Sequence, residues 1–249
     1  MSGAAPERSL LTALALAVVT VLGTTVAAAS AATLPPFVKA GGELGTHWRV
    51  TTLPDQKKPV TRFSAETVDG REALRVDAAA SYGNLVHALP AAAAPRVLRW
   101  AWRLQQPNTA ADLRHRSGDD TAVKVCLSFD LPMSAMSFVE RQWLRLARTR
   151  SGEDIPAATL CWVWAGAEER GALLDNAFTR RVRYIVLRNR ADVPGAWREE
   201  SRDVAADFLR AFGNESATVP PVTAVIVAGD ADNTGVRSVA FVSGLEFEP

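Results

Sequence analysis

The stretch "RVLRWAWRLQ" (Arg96 to Gln105) decides the fold class of this chain. Its large apolar side chains recur at every second position: Leu98, Trp100, Trp102 and Leu104. A period of two places these side chains on one face of an extended strand and the intervening arginines on the other. The stretch therefore predicts a half-buried antiparallel β-strand whose inner face carries two tryptophans.

The same period recurs along most of the chain. Clear strands are predicted at 123–129, 160–164, 182–186 and 239–247, and weaker ones at 46–51, 61–67, 72–77, 84–89 and 222–229. Pro, Gly, Asp and Asn separate these runs, as is typical of turns between short strands. About ten strands in one unit predict a mostly β protein, built as a single antiparallel β-sandwich.

Two segments follow a helical period instead. The segment 134–148 has Ser134 as its predicted N-cap and one apolar face, formed by Met136, Val139, Trp143 and Leu146. The segment 201–212 repeats the pattern, and Gly213 is suited to end the helix. We expect both helices to pack their apolar faces against the sandwich.

The first 32 residues have the composition of a cleaved secretory signal peptide. Arg8 supplies a positive charge, residues 10–23 form an uncharged apolar core, and residues 29–32 are small enough for a cleavage site. The alternative is an uncleaved anchor, because residues 10–32 almost span a bilayer. We expect a flexible segment over 33–43, then one domain over 44–249, with no membrane span in the mature chain. The Ala- and Arg-rich composition indicates a bacterial source and therefore a periplasmic or secreted protein.

The charge balance argues against several classes of partner. The 28 basic and 27 acidic side chains leave a formal net charge of +1, which creates no one-signed field for nucleic acid or acidic membranes. His47, His87 and His115 are scattered without the spacing of metal ligands. The sequence has no G-x-S-x-G elbow and no Gly-rich phosphate loop, so it discloses no reaction.

The two cysteines, Cys126 and Cys161, each lie inside a predicted strand. In an oxidising compartment they could bridge neighbouring strands, and otherwise they would be two separate small core residues. The residues alone leave both interpretations open.

The stretch "GDADNTG" (Gly229 to Gly235) precedes the last predicted strand. Asp230, Asp232 and Asn233 offer oxygen ligands of the kind that Ca²⁺ prefers, although the longer EF-hand frame is missing. The same residue types build tight turns, because Asp and Asn bond to their own backbone and Gly tolerates positive φ. A turn, a calcium site and a ligand-facing edge all remain open.

A second group of polar residues lies in "WREESRDVAADF" (Trp197 to Phe208). Its carboxylates, Glu199, Glu200, Asp203 and Asp207, are the weak candidates for acid and base catalysis on a sugar. Acidic residues in a first helical turn also complement the helix dipole, and Arg202 forms ordinary ion pairs. Trp48 and Trp197 lie near element ends and are the better candidates for an exposed sugar-stacking platform.

The polar motifs form an ordered series that resembles a known family. The series comprises Gly118 to Asp120, Leu160 to Trp164, Trp197 to Val204, Asp207-Phe208, Phe212-Gly213 and Asp230 to Gly235. Over residues 44 to 248 it resembles the exported bacterial family named domain of unknown function 3047. The resemblance implies a jelly-roll β-sandwich akin to carbohydrate-binding modules. It implies no particular activity, because the family has none established. The family pattern has tyrosines where Cys126 and Cys161 stand, and this paired replacement favours the disulfide.

The sequence thus favours an exported ligand-binding β-sandwich, with a glycan or cell-envelope component as ligand. The predicted contact residues are Asp120, Trp197, Arg202, Asp230, Asp232 and Asn233. One alternative is a polysaccharide hydrolase or lyase that uses the carboxylates of 199–207. The other is a structural module that binds protein partners only.

Overall fold

The computed structural model describes Met1 and residues 34–39, 43–92, 94–151 and 155–248. Apart from Met1, the predicted signal peptide over 1–32 lies outside these residues. The described residues form twelve strands and two α-helices. In chain order these are β1 (Arg49–Thr51), β2 (Arg62–Val68), β3 (Arg71–Ala79), β4 (Asn84–Ala92), β5 (Val97–Gln106), β6 (Val123–Phe129), α1 (Phe138–Ser151), β7 (Ala158–Trp164), β8 (Leu173–Asp175), β9 (Val182–Arg188), β10 (Arg198–Asp203), α2 (Val204–Phe212), β11 (Val222–Ala228) and β12 (Arg237–Glu248).

The strands form two sheets, which confirms the predicted β-sandwich. One sheet has seven strands in the order β1-β4-β11-β6-β7-β9-β8, and the other has five in the order β10-β5-β12-β3-β2. Neighbouring strands are antiparallel except for β7 and β9. This pair is parallel because the chain first runs out to β8 at the sheet edge and then returns to the place beside β7.

The core between the sheets is built around four tryptophans. Trp100 and Trp102 of β5 face Trp162 and Trp164 of β7, with ring centroids 5.5 Å and 5.7 Å apart across the interface. All four are fully buried, as their regular phase in the sequence predicts. Burial of such large rings is the main source of stability in a sandwich core.

The N-terminal segment packs against this core. The described part of 33–43, predicted to be flexible, includes the buried Leu34 and Phe37. The Phe37 ring lies 4.7 Å from that of Trp48, and the Trp48 indole donates a hydrogen bond to the Pro35 carbonyl at 3.2 Å. Trp48 is buried, so it offers no exposed platform.

Helix α1 begins at Phe138 and not at 134, and Ser134 belongs to a short 3-10 turn. Ser137 caps the helix instead, because its hydroxyl accepts a hydrogen bond from the Glu140 amide at 3.3 Å. The Glu140 carboxylate in turn accepts one from the Ser137 amide at 3.3 Å, which completes a capping box. The prediction that the apolar face of this helix packs against the sandwich is also wrong, since Val139 and Trp143 are 62% and 66% exposed.

Helix α2 is shorter than the predicted 201–212, because residues 198–203 form strand β10. Asp203 caps the helix by accepting a hydrogen bond from the Ala206 amide at 2.8 Å. Its apolar face, with Val204, Phe208 and Phe212, is buried in the core as predicted. No helix in the described part of the chain has the length and hydropathy to cross a membrane.

Cys126 and Cys161 form a disulfide in the structure. They lie directly opposite each other in the register of β6 and β7. Both side chains are on the outer face of the seven-stranded sheet, away from the tryptophan core.

Candidate functional site

The candidate site is centred on one lysine on the outer face of the seven-stranded sheet. Alternation along β6 turns Val123 and Val125 into the core and Lys124 to the opposite side. Lys124 is nevertheless buried, and its Nζ lies 2.5 Å from Oδ2 of Asp230. A buried ammonium needs a compensating charge, so this ion pair fixes the local arrangement.

The Asp230 carboxylate is held in place by the backbone that precedes β6. Its Oδ1 accepts hydrogen bonds from the Thr121 amide at 2.6 Å and from the Thr121 hydroxyl at 2.8 Å. Burial lowers the pKa of Lys124, but the Asp230 carboxylate and the neighbouring tyrosines raise it by more. The lysine therefore keeps its proton and its positive charge.

Both tyrosines of the chain, Tyr82 and Tyr184, lie beside this ion pair. The Tyr184 hydroxyl accepts a hydrogen bond from Asn176 Nδ2 at 2.7 Å, and that of Tyr82 accepts one from Asn84 Nδ2 at 3.1 Å. Burial raises the pKa of each tyrosine. Both hydroxyls therefore stay protonated.

Two further carboxylates, Asp119 and Asp232, border the ion pair. Burial raises the pKa of Asp119 to about 6, with Lys124 opposing the shift and Asp230 adding to it. Burial also raises the pKa of Asp232, and the carboxylates of Asp230 and Asp120 raise it further. In each residue Oδ1 is buried and has no hydrogen-bond partner among the described residues. Buried acceptors of this kind call for a donor, from water or from a ligand.

We refer to these residues as the Lys124 cluster: Tyr82, Asp119, Lys124, Tyr184, Asp230 and Asp232. Tyr82 and Asp232 are half-buried and keep part of their surface accessible, whereas the other members are buried. Three carboxylates and one ammonium make the cluster acidic when all are ionised. It offers hydroxyl groups and carboxylate acceptors on the outer face of the seven-stranded sheet, near the start of β6.

Asp120, just before β6, and Asn233, in the loop between β11 and β12, support the cluster. Asp120 is fully buried, and its carboxylate accepts hydrogen bonds from the Asn233 amide at 3.2 Å and the Thr234 amide at 2.7 Å. Gly235 has a φ of +72° and donates its amide to the Ala231 carbonyl at 2.9 Å. Residues 229–235 therefore form a tight turn, and this turn also places Asp230 and Asp232 in the cluster.

The geometry does not favour calcium at Asp230, Asp232 and Asn233. The Lys124 ammonium already occupies a cation position against Asp230. Asn233 directs its amide nitrogen, not an oxygen, toward the Asp120 carboxylate at 3.1 Å. The described residues contain no group of three or more His, Cys, Asp or Glu side chains arranged to hold a metal ion.

Two predicted ligand contacts, Trp197 and Arg202, lie on the five-stranded sheet and apart from the cluster. Arg202 forms a bidentate ion pair with Asp207, at 2.8 Å and 2.7 Å. Trp197 packs on the outer face of that sheet, with the Arg71 guanidinium 4.9 Å from its ring. The predicted contact residues therefore belong to two separate places.

The carboxylates of 199–207 also separate, because β10 is a strand. Glu199 points outward, is 70% exposed and pairs with Arg71 at 2.8 Å. Glu200 points inward and accepts hydrogen bonds from the Trp102 indole at 2.9 Å and from Arg188 at 2.7 Å. Asp203 caps α2, as described above. These three side chains have distinct structural partners and do not form one acid–base pair.

Asp207 lies in the interior and satisfies a core tryptophan. Its Oδ2 accepts a hydrogen bond from the Trp162 indole at 2.7 Å in addition to the Arg202 pair. Arg202 has its pKa raised, chiefly by its hydrogen bonds to Asp207. Asp207 therefore anchors α2 to the tryptophan core.

The match to a family model covers residues 46–246, and that family is described as a protein of unknown function, DUF3047. The chain belongs to this family. No curated protein matches the DUF3047 chain significantly. Among solved structures, one similar fold is the family 11 carbohydrate-binding module from Clostridium thermocellum in complex with a β-1,3-1,4-mixed-linked tetrasaccharide. It has a TM-score of 0.40 and 7% identity, over 86% of this chain and 93% of that one.

A second structure is the family 11 module of a cellulosomal cellulase of Clostridium thermocellum. It has a TM-score of 0.39 and 8% identity, over 89% of this chain and 95% of that one. At this level of similarity the ligand of these modules cannot be assigned to the DUF3047 chain. Its candidate site is therefore inferred from its own residues alone.

Sequence reasoning missed Tyr82, Asp119, Lys124 and Tyr184 as candidates in this DUF3047 domain. One usable signal was a single lysine in the otherwise apolar run "AVKVCL" (Ala122 to Leu127). Another was the scarcity of tyrosine, since the chain has two and both lie in the cluster.

Proposed function

We propose that the protein is an exported, non-catalytic β-sandwich that binds a glycan at the Lys124 cluster. The observation that carries the proposal is the pair of buried, unpartnered carboxylate oxygens on Asp119 and Asp232 beside the Lys124–Asp230 ion pair. Sugar hydroxyls are hydrogen-bond donors, and hydrogen bonds to carboxylates are among the stronger ones in proteins.

The charge of the cluster narrows the class of glycan. Asp119, Asp230 and Asp232 face a single ammonium, so a uronic acid or sulfated sugar would meet like charge. A neutral sugar would not, and an amino sugar would gain attraction. The half-buried Tyr82 ring provides an apolar surface beside these polar groups.

Export is part of the proposal. The disulfide between Cys126 and Cys161 favours an oxidising compartment. The predicted signal peptide over 1–32 gives the same localisation, periplasmic or secreted, and is tested by sequencing the N-terminus of the exported protein.

The test is a glycan array followed by calorimetric titration of the sugars that bind. We expect Asp232→Asn to weaken binding by about tenfold, because it removes a charge-assisted hydrogen bond. The matched control is Glu199→Gln, whose carboxylate is exposed on the other sheet and should leave affinity unchanged. Absence of binding across the array, or equal loss in both variants, would contradict the proposal.

Long incubation of the same sugars distinguishes binding from hydrolysis or lyase activity. We expect no shorter products. Turnover that is lost on replacing Glu200 or Asp203, with the fold retained, would favour the hydrolase or lyase hypothesis instead. Failure of both assays together with a co-purifying protein would favour a structural interaction module.

A further inference from the structure

Helix α1 exposes an apolar surface that the sandwich does not cover. Its four exposed apolar residues are Phe138 at 66%, Val139 at 62%, Trp143 at 66% and Leu146 at 39%. Val139, Trp143 and Leu146 follow the i, i+4, i+7 spacing of one helical face, and Phe138 extends that face at its start. Contiguous exposed apolar surface of this kind marks a site of interaction.

The opposite side of α1 contacts the domain. Leu144 is the buried side chain among the described α1 residues. Glu140 makes an ion pair at 2.9 Å with Arg181, which is itself buried and held by Glu215. These contacts fix the orientation of the helix, so the apolar face points steadily outward.

The charge of α1 identifies the chemistry of the partner. The helix carries four arginines, Arg141, Arg145, Arg148 and Arg150, and one acidic residue, Glu140. Because Glu140 is engaged by Arg181 and Ser137, the outward surface is positive. By helical geometry, Arg150 continues the face of Val139, Trp143 and Leu146, and Arg145 lies beside Phe138; both arginines are exposed.

An apolar face that includes a tryptophan and is bordered by arginines matches a helix lying in the surface of an anionic bilayer. Tryptophan favours the boundary between headgroups and acyl chains, and arginine favours anionic lipid phosphates. A second copy of the chain fits less well, because an isologous contact would bring two sets of arginines together. The net charge of the whole chain, +1, does not reveal this local concentration of arginines on α1.

We propose that α1 docks the domain on the surface of a membrane rich in anionic phospholipid. Val139 and Trp143 enter the interface, and Arg145 and Arg150 contact phosphate groups. This surface is separate from the Lys124 cluster, and the proposal does not depend on glycan binding.

The test uses the exported, processed protein with phospholipid vesicles in a co-sedimentation assay. One set of vesicles is phosphatidylcholine alone, and the other also contains phosphatidylglycerol. We expect binding to the anionic vesicles, with a loss of at least tenfold for Val139→Ser with Trp143→Ser. Arg145→Gln with Arg150→Gln should cost about fivefold per arginine on the anionic vesicles only.

Matched control variants are Val193→Ser, at a residue 69% exposed elsewhere, and Arg62→Gln with Arg114→Gln, both exposed. They should bind as the unaltered protein does. All changed residues are on the surface, and thermal unfolding checks that each variant is folded. Binding to neither vesicle type, or equal binding by the helix variants, would overturn the proposal.

Sedimentation velocity in the absence of vesicles covers the remaining outcome. If the helix variants convert a dimer to a monomer while no variant binds vesicles, the face is an interface between copies and the lipid proposal fails. Glycan affinity should be the same in all these variants, so failure here is distinguishable from failure of the proposed function.

Discussion

Lys124 and Asp230, 106 residues apart in the chain, form a buried ion pair at 2.5 Å. The lysine is on β6 and the aspartate follows the neighbouring β11, so the pair depends on the register of these two strands. Asp119, Asp232 and both tyrosines are arranged around it. The pair is thus the centre of the candidate site, and its contribution to the unfolding free energy can be measured by substitution.

Replacing Lys124 by methionine should destabilise the fold strongly. The change leaves Asp230 buried without a counter-charge, and breaking one side of a buried pair costs about 3–5 kcal/mol. Urea unfolding measures the loss. Lys58→Met is the control, because the Lys58 side chain is exposed and its ammonium donates to a backbone carbonyl, that of Asp232 at 3.0 Å. Equal effects of the two changes would refute the structural role of the pair.

Asp207→Asn should cost about 1–3 kcal/mol of unfolding free energy. The change removes the negative charge that pairs with Arg202, at a residue that is 4% exposed and also holds the Trp162 indole. Glu199→Gln, on the exposed partner of Arg71, should cost less than about 1 kcal/mol. Chemical denaturation of both variants is the measurement. A larger loss of stability at Glu199 than at Asp207 would contradict the structural role given to Asp207.

The stability of the fold should depend on the ionisation of Asp119. Its folded pKa of about 6 is above the ordinary value of 3.8, so the ionised form destabilises the folded state. This penalty is complete above pH 6 and disappears as the pH falls toward 4. Asp119→Asn should therefore exceed the unaltered protein in stability by about 2–3 kcal/mol at pH 8 and match it near pH 4.

Denaturant unfolding at several pH values checks this expectation. The groups that act on Asp119 are the side chains of Lys124, Asp230, Tyr184 and Asn176 and the backbone of Ala177, and the substitution changes none of them. Asp130→Asn, at an exposed aspartate, is the control. A stability difference that does not vary with pH would show that ionisation of Asp119 is not its cause.

Removal of the disulfide with Cys126→Ser and Cys161→Ser should lower the unfolding free energy by about 3–4 kcal/mol. This magnitude follows from the sequence separation of 35 residues, which sets the loop that the bridge closes in the unfolded chain. Unfolding of the unaltered protein with and without reductant measures the same quantity independently. If reductant also destabilises the double variant, the effect comes from elsewhere.

The alternation of apolar residues was sufficient to predict most of the fold. Trp100 and Trp102 are in phase with their strand, so their burial followed from the period alone. Strand β10 was missed because its residues, Arg198–Asp203, are polar on both faces. On its inner face Glu200 pairs with Arg188, and Arg202 pairs with Asp207. A search for alternating apolar residues cannot detect a strand whose inward side chains are charged and paired.

The site was harder to predict than the fold. Asp230, Asp232 and Asn233 were chosen from one motif and Asp120 from another, and the structure brings the two motifs together. Trp197 and Arg202 were grouped with them because they belong to the same family pattern, but pattern membership says nothing about distance. Lys124 and Tyr184 enter the cluster through strand register across β6, β7 and β9, which the local sequence does not specify.

The connection between β6 and β7 has a consequence for how this domain can vary. Phe129 and Ala158, the residues at which the chain leaves β6 and enters β7, are directly paired. Helix α1 is thus an insertion within a β-hairpin, and a short turn would satisfy the same register. Evolution or engineering can exchange this insertion while the two strands keep their alignment, provided that the contacts of Leu144 with the core and of Glu140 with Arg181 are replaced.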